Sequence, residues 1–228
     1  MANPFFQCKE FIVHQQHTSM KVCTDACLFG GWSAADAQIQ SAKNILDIGS
    51  GTGLLSLMLA QQSAAHITAI EIEAGAFEQT KTNFDLSPWK DRLNVVHSSI
   101  QDYAANNKQI LFDCIITNPP FYEGDLNSPD NAKNLAAHST ALPWDALAEA
   151  AASLLQENGA WYVLVPTLRA YTMQKFASTY GLQLSQECLM YNDAKHLPIR
   201  AMLKFVKHTM DTISGIEIFP IISLVIFF

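Results

Sequence analysis

Short apolar runs alternate along this chain with segments of helical period. Asn44–Ile48, Ile67–Glu71, Leu93–His97, Cys114–Thr117 and Ala160–Val165 are nearly continuous apolar stretches of strand length, the pattern of strands buried on both faces. Between them, Leu54 to about Gln62, a segment through Phe77 and Asn83, and Leu142–Gln156 read as helices, the last ended by Asn158–Gly159. Leu168–Thr179 reads as a further helix stopped by Gly181, and Leu184–Tyr191 and Arg200–Val206 as a closing pair of strands. Strand–helix alternation of this kind predicts an α/β fold. Ahead of it, Phe5 to Val13 alternates like a short strand or hairpin outside the main sheet. Thr24 or Asp25 can then cap a helix through Cys27, Leu28, Phe29 and Trp32. The chain divides into an N-terminal hairpin and helix extension (1–43), a core (44–207) and an apolar tail (208–228).

Composition narrows the class. With 228 residues, 49% hydrophobic and 15% charged, the chain can bury the core of one domain, or one with a small addition. Lys and Arg total 14 against 21 Asp and Glu, a net charge of −7, so any nucleic-acid contact must use a local patch. Five cysteines (8, 23, 27, 114, 188) form neither a CxxC pair nor a zinc spacing, which fits reduced thiols in the cytoplasm and no metal. Met1–Pro4 lacks the basic and apolar regions of a signal peptide. The apolar stretch Ile218–Phe228 is too short to span a bilayer, so no membrane is expected. A truncated or frame-altered end and a strand packed on the core both remain open for it.

Asn44–Ile48, with Asp47 near its end, opens into Gly49-Ser50-Gly51-Thr52-Gly53 before a helix. Strand, glycine turn and helix make the first half of a nucleoside-binding unit. The G-x-G-x-G spacing, shorter than G-x-G-x-x-G, suits a ligand without pyrophosphate against which the backbone lies closely. Glu71 ends the next strand about 20 residues on, where an acid grips ribose hydroxyls. Ile72 can lie against an adenine face, and Glu73 is assigned to solvent.

Cys114–Thr117 runs into Asn118-Pro119-Pro120-Phe121-Tyr122. Two prolines cannot continue a ladder, so the strand stops there and the residues after Thr117 are exposed at its end. The Asn118 amide oxygen and the Pro119 carbonyl can accept hydrogen bonds from an exocyclic amino group. Phe121 or Tyr122 offers a ring for a flat base.

Asn118-Pro119-Pro120-Phe121 resembles motif IV of the S-adenosylmethionine-dependent amino-methyltransferases. Met20-Lys21-Val22-Cys23-Thr24-Asp25 resembles the segment that precedes the core in bacterial tRNA adenine-N6 methyltransferases, with Cys23 in place of glycine. Over roughly residues 5–207 the chain is similar to the tRNA1(Val) adenine-37 N6-methyltransferase family. That resemblance implies a Rossmann-like class I fold, a seven-stranded mostly parallel sheet with helices on both faces. It also implies S-adenosylmethionine as methyl donor, bound by Lys21, Thr24, Asp25, Asp47, Gly49, Gly51, Gly53, Glu71, Ile72 and Asn118. After the third strand such enzymes often carry an acid that meets the adenine amino group. Here Ser99, or the Ile100 backbone, stands there and Asp102 comes only later.

The implied partner is a tRNA anticodon loop, met by a monomer. Asn118, Pro119, Pro120 and Phe121 would form the catalytic motif, and Phe121, Tyr122, Lys133 and Arg200 the substrate contacts. The polar stretch Gly124–Asn134 reads as a loop over the acceptor, with Lys133 a phosphate contact or simply solvated. His138 can be a general base or a structural residue. Lys195, His196, Arg200, Lys204 and Lys207 make the far end locally basic, an RNA-binding edge or scattered surface charge. Rival readings are a protein glutamine-N5 methyltransferase, a ribosomal RNA guanine-N2 methyltransferase and a non-catalytic RNA-binding subunit of the same fold.

Overall fold

The computed structural model describes residues 3–18, 20–120, 143–193 and 195–207. In chain order its elements are β1 (Phe5–Gln7), β2 (Ile12–His14), α1 (Thr24–Ala34), α2 (Ala37–Ser41), β3 (Asn44–Ile48), α3 (Leu54–Gln62), β4 (His66–Glu71), α4 (Ala74–Asp85), β5 (Leu93–His97), α5 (Ile100–Asn106), β6 (Phe112–Thr117), α6 (Trp144–Leu154), β7 (Leu155–Pro166), α7 (Ala170–Thr179), β8 (Leu182–Met190) and β9 (Arg200–Lys207). Strands β1 and β2 form a separate antiparallel hairpin, as the alternation at Phe5–Val13 predicts.

Seven strands make the main sheet, in the order β5-β4-β3-β6-β7-β9-β8, with β9 antiparallel to both neighbours and the other pairs parallel. Successive strand residues point to opposite faces. Leu46, Ile48, Ile70, Ile115 and Val163 pack with α5, α6 and α7 on one side. Ile45, Ile67, Cys114, Ile116 and Tyr162 pack with α1, α2 and α3 on the other. The N-terminal extension is built into this body: Phe11, Val13 and Ala26 share a cluster with Leu54, Leu57, Ala69 and Phe84.

Two expectations shift. Strand β7 begins at Leu155, directly after α6, because Leu155 pairs with Phe112 of β6. Asn158, with φ 62°, lies inside an irregularity of that strand rather than at a helix end. Helix α1 has Cys23 as its N-cap, without a side-chain capping bond, so Thr24 and Asp25 already lie in the first turn and neither is the cap.

The register sets the functional edge. Ile48 pairs with Ile70 on one side and with Thr117 on the other. The next residues along, Gly49, Glu71 and Asn118, therefore emerge side by side at the carboxyl ends of three neighbouring strands. In an open parallel sheet that edge is where ligands bind.

Candidate active site

The glycine loop is held from four directions. Gly49 N and Ser50 N donate to Ile70 O at 2.8 and 3.1 Å, and Gly53 N to Ser50 O at 2.7 Å. Gly51 N donates to Glu71 Oε2 at 2.8 Å. Helix α4 completes the frame: Thr80 Oγ1 donates to Gly51 O at 2.9 Å, and Asn83 Nδ2 to Thr52 O at 2.8 Å. The amide of Asn83 also grips His14 in both directions, and Gln79 Oε1 accepts from Gln16 N and His17 N. Gln79, Thr80 and Asn83, all buried, thus connect the N-terminal extension to the loop. Sequence reading missed these three, because the polar side of an amphipathic helix looks the same whether it faces water or another backbone. Three large polar residues within five positions were the available signal.

Gly51 adopts φ +58°, and a Cβ there would meet nothing within 4 Å, so the loop faces open space. Next to it, Asp47 is fully buried. Its Oδ2 accepts from Ser56 Oγ at 2.7 Å, while Oδ1 has no hydrogen-bond partner among the described residues. Burial, with the Glu71 carboxylate adding to it, pushes the Asp47 carboxyl up to about 6 against the pull of Ser56.

Glu71 is buried and accepts three backbone N–H bonds, from Gly51 through Oε2 and from Ile72 and Glu73 through Oε1 at 2.9 Å. A carboxylate offers about four acceptor sites, so one remains for a ribose hydroxyl. Ile72 stands 60% exposed beside it, an apolar surface free to meet a flat base. Its carbonyl contacts His97 Nε2 at 3.1 Å, and the His97 ring stacks on Phe77 at 5.0 Å. Glu73, assigned to solvent from the sequence, caps α4 by accepting from Gly75 N and Ala76 N. Ser99 caps α5 and donates to Asp102 Oδ2 at 2.6 Å, which brings that later acid back to the end of β5.

On the acceptor side, Asn118 Oδ1 is buried and has no hydrogen-bond partner among the described residues. Pro119 is buried and Pro120 exposed. Thr117, just before them, is fixed by Trp161, whose Nε1 donates to Thr117 Oγ1 at 3.2 Å. Phe121, Tyr122, Lys133 and His138 lie outside the described residues.

Lys21 Nζ donates to Gln15 O. Asp25 and Arg200, expected on donor and acceptor sides respectively, meet at 3.1 Å and tie α1 to the start of β9. The basic end is largely absorbed. Lys204 Nζ lies 2.7 Å from Asp36 Oδ2, both almost buried, and Lys207 Nζ donates to Ala152 O and Leu155 O. Both ammonium groups are engaged by partners within the fold.

Burial pushes the Cys114 thiol up to about 12 and, together with Cys8 and Cys23, Cys27 up to about 11. Among the described residues no helix is long and apolar enough to cross a membrane, and no group of His, Cys, Asp and Glu could hold a metal ion.

Residues 34–181 match the methyltransferase small domain. A tRNA1(Val) (adenine(37)-N6)-methyltransferase from Phocaeicola vulgatus is 40% identical over 211 residues, covering 92% of this chain and 87% of that protein. One of the same name from Cytophaga hutchinsonii is 40% identical over 210 residues, covering 92% and 86%. Among solved structures, a Listeria monocytogenes protein assigned to the class I S-adenosylmethionine-dependent methyltransferases superposes with a TM-score of 0.61 at 17% identity, over 90% of this chain and 65% of that one. The seven-stranded sheet is the class I fold that the sequence predicts. The chain belongs to the methyltransferase small domain family and, within it, to the family of tRNA1(Val) (adenine(37)-N6)-methyltransferases.

Proposed function

We propose that this protein transfers a methyl group from S-adenosylmethionine to the exocyclic N6 of adenine 37 in a valine tRNA. The observation that carries the reading is the Asn118 amide oxygen, buried and without a partner among the described residues, at the strand end next to the glycine loop. A buried acceptor left open costs about 1–3 kcal/mol, so it marks a place where a donor is expected to arrive.

The residues fit the proposed donor. Open space in front of Gly51, the unmatched Asp47 Oδ1 and the spare acceptor site of Glu71 suit an amino-acid portion with a ribose attached. When bound, S-adenosylmethionine supplies a methyl carbon on a sulfonium, which is already a good leaving group. By the family resemblance, Lys21, Thr24 and Asp25 would border this pocket, and Ile72 and Ser99 would lie at its adenine end.

Catalysis by the chain is then positioning. Asn118 Oδ1 and the Pro119 carbonyl accept the two hydrogens of the target amine and turn its lone pair toward the donor pocket. With the donor bound, the nitrogen–carbon bond would form as the carbon–sulfur bond breaks, S-adenosylhomocysteine would leave, and the surplus proton would pass to water. Holding both reactants so can be worth effective molarities of about 10⁵ M or more. The two oxygens also face the positive charge that develops on nitrogen. An unpaired anticodon-loop base reaches them without the cost of leaving a duplex. Phe121 or Tyr122 would stack on it.

The test uses labelled S-adenosylmethionine with total tRNA, ribosomal RNA and release factor from a strain lacking the gene, followed by nucleoside mass analysis. N6-methyladenosine in tRNA is the expected product. Label on guanine or on a protein glutamine would overturn the reading.

A further inference from the structure

Two segments meet at the carboxyl end of β7. One is the turn Thr167–Arg169 that leads into α7, and the other is the connection between β8 and β9. They are stitched by backbone bonds, Thr167 N to Ile199 O at 3.3 Å and Ile199 N to Met190 O at 2.8 Å. Strand β7 lies against β6, with Thr117 opposite Val163. This ledge therefore begins one strand from Asn118, on the side away from β3 and β4. The glycine loop and Glu71 occupy the other side. A nucleotide chain whose base is held at Asn118 leaves over one of these two sides, and the proposed donor occupies the one with the glycine loop and Glu71.

The ledge is unusually apolar for a surface. Leu168 is 91% exposed, Leu197 85%, Tyr171 78% and Tyr191 42%. Single exposed apolar residues are common, but four at one edge mark a contact surface. Lys175 follows Tyr171 by four residues, so the two share one face of α7. Lys195 is exposed in the facing connection. Asp193, the acid within the connection, faces His196 at 2.7 Å, and Asp25 is paired with Arg200 at its end. In a chain of net charge −7, a ledge that carries aromatic rings and lysines is a local exception. That mixture suits single-stranded nucleic acid, where bases stack and phosphates meet positive charge.

Building on the proposed RNA substrate, we infer that this ledge receives the unpaired nucleotides flanking the target base. Tyr171 and Tyr191 stack on bases, Leu168 and Leu197 extend that surface, and Lys175 and Lys195 meet phosphates.

The test is the affinity for a fluorescently labelled anticodon stem-loop RNA, read by anisotropy, with the affinity for S-adenosylmethionine as control. Leu168→Ala combined with Tyr171→Ala should weaken RNA binding about tenfold or more and leave donor binding and melting temperature unchanged. Tyr171→Phe, which keeps the ring, should bind RNA like the parent. Lys175→Ala with Lys195→Ala should weaken binding and flatten its salt dependence. Unchanged RNA affinity in both double variants would overturn the inference. So would RNA affinity unchanged while a self-association of the parent, seen by size measurement, is lost, since the ledge would then be a contact between copies. Failure of the proposed activity is read separately, as methyl transfer by the parent protein to no RNA.

Discussion

Glu71 Oε2 accepts the Gly51 N–H at 2.8 Å, so the acid proposed to hold the ribose also locks the loop proposed to shape the donor pocket. The two tasks share one carboxylate, and removing it should disturb both. Glu71→Ala leaves the N–H groups of Gly51, Ile72 and Glu73 without their acceptor. We expect a stability loss of about 1–3 kcal/mol and an affinity for S-adenosylmethionine lowered about tenfold or more. Thermal melting and calorimetry check the two effects. Glu71→Gln, which keeps one acceptor oxygen, should fall between.

Asp47 makes stability depend on pH in a definite direction. Its carboxyl is raised from 3.8 to about 6 by burial, so the folded state holds the proton more tightly than the unfolded chain. The stabilisation is complete below the unfolded value and is lost as pH rises through about 6, a cost of about 3 kcal/mol at neutral pH. Asp47→Asn removes that titration. Its melting temperature relative to the parent should rise steadily between about pH 4 and about pH 7, and a pH-independent difference would contradict the assignment.

Lys204 and Asp36 form an almost buried pair at 2.7 Å, and Asp36 also caps α2 by accepting from Gln38 N. Breaking one side leaves the other charge without compensation. Lys204→Ala should cost about 3–5 kcal/mol, while Lys204→Met with Asp36→Asn should recover part of the loss. Neither change should alter RNA affinity, which separates this structural cation from one that contacts substrate. Denaturant melts and anisotropy measure the two properties.

Thr117 holds the strand end that carries Asn118, through the bond from Trp161 Nε1. Thr117→Val should leave that buried donor unmet, at about 1–3 kcal/mol, and lower kcat more than it raises KM. Thr117→Ser restores the hydroxyl and should restore kcat. Steady-state methyl transfer to tRNA is the measurement.

Much of this architecture is legible in the sequence because strand and loop chemistry are local. Asn44–Ile48 and Leu54–Gln62 carry their own boundaries, an apolar run closed by glycine and a helix begun after it. Asn158–Gly159 misleads, since it reads as a helix stop. The pairing of Leu155 with Phe112 extends the strand past it, and that depends on a partner more than forty residues away. Lys204 and Lys207 mislead similarly: as charges in sequence they look like surface, and only the fold places Asp36 and the end of α6 against them. Gln79, Thr80 and Asn83 stay hidden because periodicity reports that a helix face is polar, not what it touches. Asn118 is legible because its prolines announce where the strand must end.

The proposed transfer requires Asn118 to act on the acceptor and not on the donor. The most direct measurement is Asn118→Ala, with S-adenosylmethionine affinity by calorimetry and single-turnover methyl transfer to tRNA on the same preparation. Donor affinity should stay close to that of the parent, and the transfer rate should fall about 10²–10³-fold. Lost donor binding, or transfer at the parent's rate, would contradict it.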